Sequence, residues 1–245
     1  MTPGAYNHVM VSDHQSAHPP AIAGVRAVVF DAYGTLFDLG GATATARDVI
    51  GDRLPALAEL WRTKQLQYTW LRSLTGQHAD FWRVTSDALD FALATLGIAD
   101  GELRERLMGA YERLGPYADA RPALEQLKAS GLRLAILSNG APRMLGAAAR
   151  NAQLTDLLET IFSVEEVAIY KPHPNVYRLA VERLGLWPGE ILFVSANGWD
   201  AYGAKAFGLR VAWCNRSRQP AERLPAVPDV EIRSLAELPG LVGRK

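Results

Sequence analysis

The stretch Val25–Asp38, VRAVVFDAYGTLFD, places a carboxylate directly after a short apolar run. The run Ala27–Phe30 is closed by turn residues, a pattern typical of a buried strand in a parallel sheet. In open sheets of this kind, ligands bind just beyond the carboxyl ends of the strands. Asp31 is expected there, followed by Gly34, which allows a sharp turn, and by Thr35. A carboxylate in that position is a candidate attacking group.

The charge balance and the cysteine content narrow the class of protein. Lys plus Arg and Asp plus Glu both number 26 in 245 residues, so the net charge is zero. A nucleic-acid or membrane-surface binder needs a basic excess, and neither partner is therefore expected. The single cysteine, Cys214, excludes an intrachain disulfide and fits a reducing compartment, the cytoplasm. The sequence has no apolar run of the length that a membrane span requires.

Strand-like and helix-like segments alternate along the chain after an early interruption. Residues 40–114 have helical patterns only, whereas strands and helices alternate from Pro116 onward. This alternation predicts right-handed βαβ crossovers and a doubly wound parallel α/β sheet. The predicted strands, with the polar turns that close them, lie within residues 27–30, 132–140, 160–164, 190–198 and 209–215.

The long helical segment predicts a division into two parts. We expect a core domain built from residues 25–39 and 116–245, with residues 40–115 inserted as a helical cap over the strand ends. Residues 1–24 lack the basic start and hydrophobic stretch of a signal peptide, so we expect a flexible tail there. Residues 219–229, QPAERLPAVPD, are predicted to form a surface loop.

Polar side chains follow four of the predicted strands. The carboxyl ends of parallel strands meet at one edge of a sheet, so a nucleophile, a cation, hydroxyls and amides are expected to converge on one small cavity. These residues are Asp31, Thr35, Ser138, Asn139, Lys171 of the YKPHP turn, Ser195, Asn197 and Asp200.

Four motifs in this order, DAYGTLFD, SNG, KPHP and SANGWD, resemble the haloacid dehalogenase superfamily. More narrowly, they and the segment WRTKQLQYTWLRSLTGQHADFW are similar to the bacterial L-2-haloacid dehalogenases. The resemblance covers roughly residues 25–215. It implies a Rossmann-like core with an inserted helical cap, and hydrolysis of a short L-2-haloacid to a D-2-hydroxy acid and halide. It also implies a homodimer.

Residues that are missing favour dehalogenation over phosphoryl transfer. In phosphatases of the superfamily, the first motif resembles DxD, and its second Asp protonates the leaving alkoxide. Tyr33 stands at the position of that second Asp in this sequence. A halide is a weak base and leaves without a proton. Residues Ser195–Asp200 contain one carboxylate, whereas Mg²⁺ prefers a cluster of oxygen ligands. We therefore expect no metal and no other cofactor. A phosphatase or phosphonate-cleaving enzyme with an atypical site, and a non-catalytic binding module, stay open as alternatives.

The resemblance implies a role for each matching residue. Asp31 attacks C2 of the acid and forms an ester, and water then attacks the ester carbonyl, so that the configuration inverts once. Thr35 assists hydrolysis, Arg62 receives the halide, and Lys171 keeps Asp31 ionised. The catalytic set that the family implies is Asp31, Thr35, Arg62, Lys171, Asn197 and Asp200.

Substrate-binding residues also carry over from the family. Ser138 and Lys171 are expected to hold the substrate carboxylate, with Asn139 near the halide. Ser195 and Tyr177 are expected to support Lys171, while Asn197 and Asp200 position water. The side chains expected to wall the pocket, besides Arg62, are Tyr33, Leu66, Phe81 and Trp199.

Each of these assignments has a structural alternative. Asp31, Ser138 and Asn139 are also residues that form turns, and Asp200 could cap a helix. Tyr177, Leu66, Phe81 and Trp199 could be ordinary core. Arg62 alone would be a solvated helix residue, yet it shares a helical face with Leu66 and Trp70, where one long cation among apolar neighbours suits an anion site. The preferred halogen and acid chain length do not follow from the sequence.

Overall fold

The computed structural model of this protein describes residues 22–44 and 46–242, and its centre is one sheet of six parallel strands in the order β3-β2-β1-β4-β5-β6. The prediction of a doubly wound parallel α/β sheet is confirmed. The strands are β1 (Ala27–Phe30), β2 (Arg133–Ser138), β3 (Thr160–Ser163), β4 (Ile191–Ser195), β5 (Arg210–Cys214) and β6 (Val230–Ile232).

The central strand β1 sets the position of the polar turns. All four of its residues are fully buried, because strands lie on both sides of it and helices flank the sheet. Phe30 is in register with Ile136 of β2 and with Val194 of β4. The turns after these three neighbouring strands therefore begin at nearly the same level, at one edge of the sheet.

Ten α-helices accompany the sheet in the described part of the chain. Pro142 and Pro174 each occupy the first position of a helix, where a missing N–H costs nothing. The helices are α1 (Gly40–Ala44), α2 (Arg47–Ile50), α3 (Leu54–Thr75), α4 (Phe81–Thr95), α5 (Gly101–Ala110), α6 (Ala120–Ala129), α7 (Pro142–Asn151), α8 (Pro174–Leu184), α9 (Gly198–Phe207) and α10 (Leu238–Leu241).

Helices α1 to α5 all lie between β1 and β2, and α3 packs on α4. Gly76 ends α3 with φ +67°, in the left-handed region that glycine adopts without strain. The Asp80 carboxylate begins α4 by accepting the backbone N–H of Arg83 at 2.8 Å. The indole N–H of Trp61 donates to the Thr85 carbonyl at 2.9 Å, which ties α3 to α4.

The chain leaves the sheet and returns to it through two segments that pair with each other. The Asp38 N–H donates to the Gly115 carbonyl at 3.0 Å, and the Tyr117 N–H donates to the Leu36 carbonyl at 2.9 Å. We propose that this pairing marks the boundary between the core, residues 25–39 and 116–245, and the cap, residues 40–115.

An ion pair next to this boundary holds the turn after β1. Arg216 donates to both carboxylate oxygens of Asp119, at 2.7 and 2.9 Å, and to the Thr35 carbonyl at 3.0 Å. Burial tends to raise the pKa of Asp119, but hydrogen bonds from Arg216 and from the Ser234 hydroxyl outweigh it and lower the pKa. The Arg216–Asp119 ion pair therefore stabilises the turn that carries Thr35.

The C-terminal part of the sheet differs from the expectation. Residues 209–215 are the last strand predicted from the sequence, but Val230–Ile232 adds the edge strand β6 after the exposed loop of residues 219–229. A segment of three residues that follows a proline-rich loop is too short to show the alternation of apolar and polar residues that identifies a strand.

At the N-terminal end, Ile22 is buried and its N–H donates to the Leu241 carbonyl at 2.7 Å. The rest of the predicted flexible tail, residues 1–21, lies outside the described residues, as do residues 243–245. In the part of the chain that the structure describes, none of the helices has both the length and the apolar character to cross a membrane.

Candidate active site

The carboxylate of Asp31 lies at the carboxyl end of β1, with 6% of the residue exposed. Its Oδ1 accepts a hydrogen bond from Lys171 Nζ at 3.0 Å. Its Oδ2 accepts two more, from Thr35 Oγ1 at 3.0 Å and from Asn197 Nδ2 at 2.8 Å. Donors from three different loops therefore orient both oxygens of one nearly buried carboxylate.

Thr35 reaches Asp31 because the chain turns sharply after β1. Gly34 adopts φ +84°, in the left-handed region, and allows this turn without strain. The Thr35 hydroxyl gives its hydrogen to Asp31 and accepts the N–H of Ala196 at 2.8 Å. Thr35 thereby joins the turn after β1 to the turn after β4.

Lys171 lies between two carboxylates. Its Nζ is 3.0 Å from Asp31 Oδ1 and 2.9 Å from Asp200 Oδ2, and the residue is 1% exposed. Its backbone N–H donates to Asn139 Oδ1 at 3.1 Å, and its ammonium also lies 4.8 Å from the centre of the Phe193 ring. Burial tends to lower the pKa of Lys171, but Asp200 and Asp31 outweigh it and raise the pKa. The ammonium therefore stays charged.

Asp200 is the third residue of α9 and is fully buried. The structural alternative, that Asp200 only caps this helix, is wrong, because the N-cap residue is Asn197 and the Asp200 carboxylate points to Lys171. Its Oδ1 accepts the Tyr177 hydroxyl at 2.7 Å. Burial raises the pKa of Asp200 against the opposing charge of Lys171, and burial also raises the pKa of Tyr177. Tyr177 thus remains a donor to Asp200.

Asn197 connects the nucleophile candidate to the cap. Its Nδ2 donates to Asp31 Oδ2 at 2.8 Å and to the Tyr33 carbonyl at 3.2 Å. Its Oδ1 accepts Arg62 Nη2 at 3.1 Å. The Ser195 hydroxyl accepts the backbone N–H of Asn197 at 3.1 Å. Ser195 therefore stabilises the turn after β4.

Arg62 comes from α3 and brings a second cation to the site. It is partly buried and lines a small cavity of about 140 Å³. The other residues that line this cavity are Leu39, Gly40, Thr43, Ala58, Trp61 and Tyr111. A guanidinium that faces such a space can hold a small anion.

Aromatic side chains predicted to wall the pocket contact other aromatic side chains. Tyr33 stacks on the buried Phe81, with ring centres 5.8 Å apart, and Trp199 meets Trp70 edge to face at 5.5 Å. Leu66 is half-buried on α3, one turn after Arg62. The Tyr33 hydroxyl is buried without a hydrogen-bond partner among the described residues, and burial raises its pKa. It remains protonated.

The turn after β2 carries two further predicted residues. Ser138 is fully buried, and its hydroxyl accepts the Gly140 N–H at 3.1 Å. Asn139 is nearly buried and supports the Lys171 backbone. The structure therefore places Asn139 in direct contact with the Lys171 turn, while the Ser138 hydroxyl stabilises the turn after β2.

Two residues that are not among the predicted site residues also contribute to the site. Gln65 is fully buried and accepts Arg62 Nη1 at 2.7 Å, and its spacing of three residues from Arg62 on α3 was the available signal. Gly203 on α9 lies so close to the Lys171 turn that an added Cβ would be 2.6 Å from Pro172 Cβ and 2.8 Å from Tyr177 Oη. Nothing in the sequence pattern indicates this close approach.

The chemistry of the site follows from these contacts. The residues form one buried network with two carboxylates, an ammonium between them, a guanidinium and several neutral donors. In residues 22–44 and 46–242 there is no group of three or more His, Cys, Asp or Glu side chains placed to hold a metal ion. The arrangement suits nucleophilic attack by Asp31 on a substrate that the two cations help to bind.

The family of haloacid dehalogenase-like hydrolases matches residues 25–208. The fold and the buried aspartate at the end of β1 fit this class. The chain belongs to the haloacid dehalogenase-like hydrolases and, within this enzyme family, groups with the L-2-haloacid dehalogenases.

Individual relatives match almost the whole chain. The (S)-2-haloacid dehalogenase 1 of Pseudomonas sp. (strain CBS-3) is 46% identical over 221 residues, which are 90% of this chain and 97% of that protein. A dehalogenase crystallised as an intermediate complex is 43% identical, with a TM-score of 0.89, over 91% of this chain and 100% of its own. The L-2-haloacid dehalogenase of Xanthobacter autotrophicus with covalently bound chloropropionic acid is 41% identical, with a TM-score of 0.83, over 89% and 98%.

The close approach at Gly203 generates a stability prediction. The Gly203→Ala substitution adds a methyl group that meets the rigid Pro172 ring, so the free energy of unfolding should fall by about 1–3 kcal/mol in urea titration. Gly101→Ala is the matched control, since Gly101 is an exposed helical residue whose added Cβ meets nothing within 4 Å. The control should change stability by less than about 0.5 kcal/mol. Equal stability of both variants would contradict the close approach.

Proposed function

We propose that the protein hydrolyses short-chain L-2-haloalkanoic acids to D-2-hydroxy acids and halide through an ester on Asp31. The observation that carries this proposal is the Asp31 carboxylate, nearly buried and held on both oxygens, with the Lys171 ammonium 3.0 Å away. Several similar proteins are (S)-2-haloacid dehalogenases, and one of them was crystallised with chloropropionic acid covalently bound.

In the first step an Asp31 oxygen forms a bond to C2 of the acid from the side opposite the halogen. The carbon–halogen bond breaks, and the halide leaves with the bonding electron pair toward the Arg62 guanidinium. Lys171 and Ser138 bind the substrate carboxylate, and Asn139, which accepts the Lys171 backbone N–H, lies near the halide. The walls formed by Tyr33, Phe81, Leu66 and Trp199 keep water from the reacting carboxylate.

In the second step water attacks the ester carbonyl carbon of Asp31. Thr35 and Asn197 already donate to Oδ2 of this group, so they can stabilise the negative charge that develops on it. The bond between that carbon and the substrate oxygen breaks. One proton of the water ends on the hydroxyl of the product, and the other is released to solvent as the Asp31 carboxylate re-forms. Asp200, held by Lys171 and Tyr177, positions this water. Because C2 reacts only once, its configuration inverts once.

The charges of the site support a reaction without a metal ion. A phosphate dianion opposite an anionic nucleophile needs a divalent cation, whereas a 2-haloacid carries one negative charge. The Lys171 ammonium already lies between Asp31 and Asp200, the two carboxylates at the end of the sheet. At the position where a phosphatase would protonate an alkoxide, burial holds the pKa of the Tyr33 hydroxyl high, which makes it a poor acid.

A chloride-release assay tests this proposal. The protein should release chloride from L-2-chloropropionate at the same rate with and without EDTA, and should leave the D-enantiomer intact, because no step requires a metal and attack is from one side. Asp31→Asn should abolish release. Asp38→Asn is the matched control, because Asp38 lies on the same loop and its carboxylate is hydrogen-bonded to the Gly40 N–H, at 2.8 Å, and to Tyr117. Release of phosphate from phosphate esters, lost with EDTA, would instead support the phosphatase alternative.

The ester intermediate has its own test. A single turnover in ¹⁸O-labelled water, with enzyme in excess over substrate, should place the label in the Asp31 carboxylate, because water attacks the ester carbonyl and the product keeps an enzyme oxygen. Mass spectrometry of the peptide that contains Asp31 measures this incorporation. The peptide with Asp200 is the internal control and should stay unlabelled. Label that appears first in the hydroxy acid would mean that water attacks C2 directly.

We also propose that the protein acts in the cytoplasm as a homodimer. The one cysteine, Cys214, is buried, and apolar side chains of the cap helices, Leu71, Leu74 and Phe91, are exposed as a self-association surface would require. Light scattering should give about twice the chain mass of 26.7 kDa. Leu74→Lys should shift the mass toward the monomer, whereas Val227→Lys, on the loop of residues 219–229, should not. A monomer at all concentrations would rule out the dimer.

A further inference from the structure

Gln65 is a buried polar side chain in the interior of the cap. It is 0% exposed and lies where α3 meets α4 and the turn at Tyr111. A buried carboxamide costs free energy unless its donors and acceptor are all used, so its contacts indicate what it holds in place.

The hydrogen bonds of Thr85 determine the orientation of the Gln65 amide. The Thr85 hydroxyl donates its only hydrogen to the Phe81 carbonyl at 2.6 Å, so toward Gln65 it can only accept. Gln65 Nε2 donates to it at 2.7 Å, with Tyr111 Oη at 3.4 Å. The amide oxygen of Gln65 therefore faces the opposite side, where it accepts Arg62 Nη1 at 2.7 Å.

The hydrogen bonds continue from Arg62 through Asn197 to Asp31. The second terminal nitrogen of Arg62 donates to Asn197 Oδ1 at 3.1 Å, which leaves the Asn197 amide nitrogen to donate to Asp31 Oδ2 at 2.8 Å. Because a guanidinium is planar, contacts at both terminal nitrogens define its plane. The hydrogen bonds thus run without a gap from the backbone of α4 to Asp31.

We propose that Gln65 is a positioning residue, which holds the Arg62 guanidinium in the plane required to receive the departing halide. The inference rests on the proposed function, in which Arg62 has this role. Gln65 and Asn197 use one N–H on each terminal nitrogen of Arg62 and leave the other N–H groups for the anion. Without Gln65, the end of the side chain can rotate about its last bonds, and these N–H groups lose their common direction.

Gln65→Met tests the proposal, since methionine has a similar length and makes no hydrogen bond to Arg62. The dissociation constant of bromide, followed by NMR titration of the folded protein, should rise about tenfold, as expected for the loss of one hydrogen bond to a charged group. Turnover of 2-chloropropionate should fall more than that of 2-bromopropionate, because the poorer leaving group depends more on stabilisation of the halide.

Two further sites provide controls on α3 and α4. Thr69→Val removes a buried hydroxyl on the same helix that donates to the Leu66 carbonyl at 2.6 Å, and should leave bromide affinity unchanged. Thr85→Val should weaken bromide binding although Thr85 touches neither Arg62 nor Asp31, and Thr85→Ser, which keeps the hydroxyl, should restore it. Thermal unfolding of each variant separates these effects from loss of the fold.

The outcomes separate this inference from the proposed function. Bromide binding is measured without turnover, so weaker binding in Gln65→Met supports the positioning role even if wild-type protein hydrolyses no 2-haloacid. Wild-type affinity in Gln65→Met, an equal loss in Thr69→Val, or no bromide binding by the wild-type protein would each overturn it. An equal loss of chloride and bromide turnover in Gln65→Met would mean a general structural role.

Discussion

The Lys171 ammonium between the carboxylates of Asp31 and Asp200 is the interaction on which the rest of the site depends. All three groups are almost fully removed from solvent, and buried charges of this kind are tolerated only when they are paired and hydrogen-bonded. Because Asp31 and Asp200 share the one ammonium of Lys171, neutral hydrogen-bond donors have to stabilise the remaining negative charge. Thr35, Asn197 and Tyr177 supply them. The functional groups therefore stabilise one another, and the loss of Lys171 alone would leave two uncompensated carboxylates.

The parallel sheet explains why these groups meet. Central β1 has β2 on one side and β4 on the other, so the turns after three neighbouring strands open at one edge, where ligands bind in sheets of this type. The sequence carries enough information to predict this much, because an apolar run that ends in a polar turn is visible in each segment. Asp31 after β1, Asn139 after β2 and Asn197 after β4 were predicted to converge, and in the structure they contact Lys171 or each other.

Other features depend on packing that local patterns do not record. Strand β6 has three residues and follows a proline-rich loop, so its pairing with β5 is visible only in the folded sheet. Gln65 is one of several polar residues in the middle of α3, and only the packing of α4 shows that it is buried. The close approach of Gly203 to Pro172 joins two segments far apart in sequence. These contacts are tertiary. Spacing places Gln65 on the same helix face as Arg62, but it does not show that Gln65 is buried or that Gly203 meets Pro172.

The division of the site between core and cap has a mechanical consequence. Asp31, Lys171 and Asn197 belong to core segments, whereas Arg62 arrives on α3, so the Arg62–Asn197 hydrogen bond exists only while the cap is seated on the sheet edge. Asn197 therefore contacts Asp31 and Arg62 at once. Its amide can present its N–H₂ to Asp31 and its oxygen to Arg62 only in one orientation, so seating of the cap and orientation of the Asp31 carboxylate are coupled.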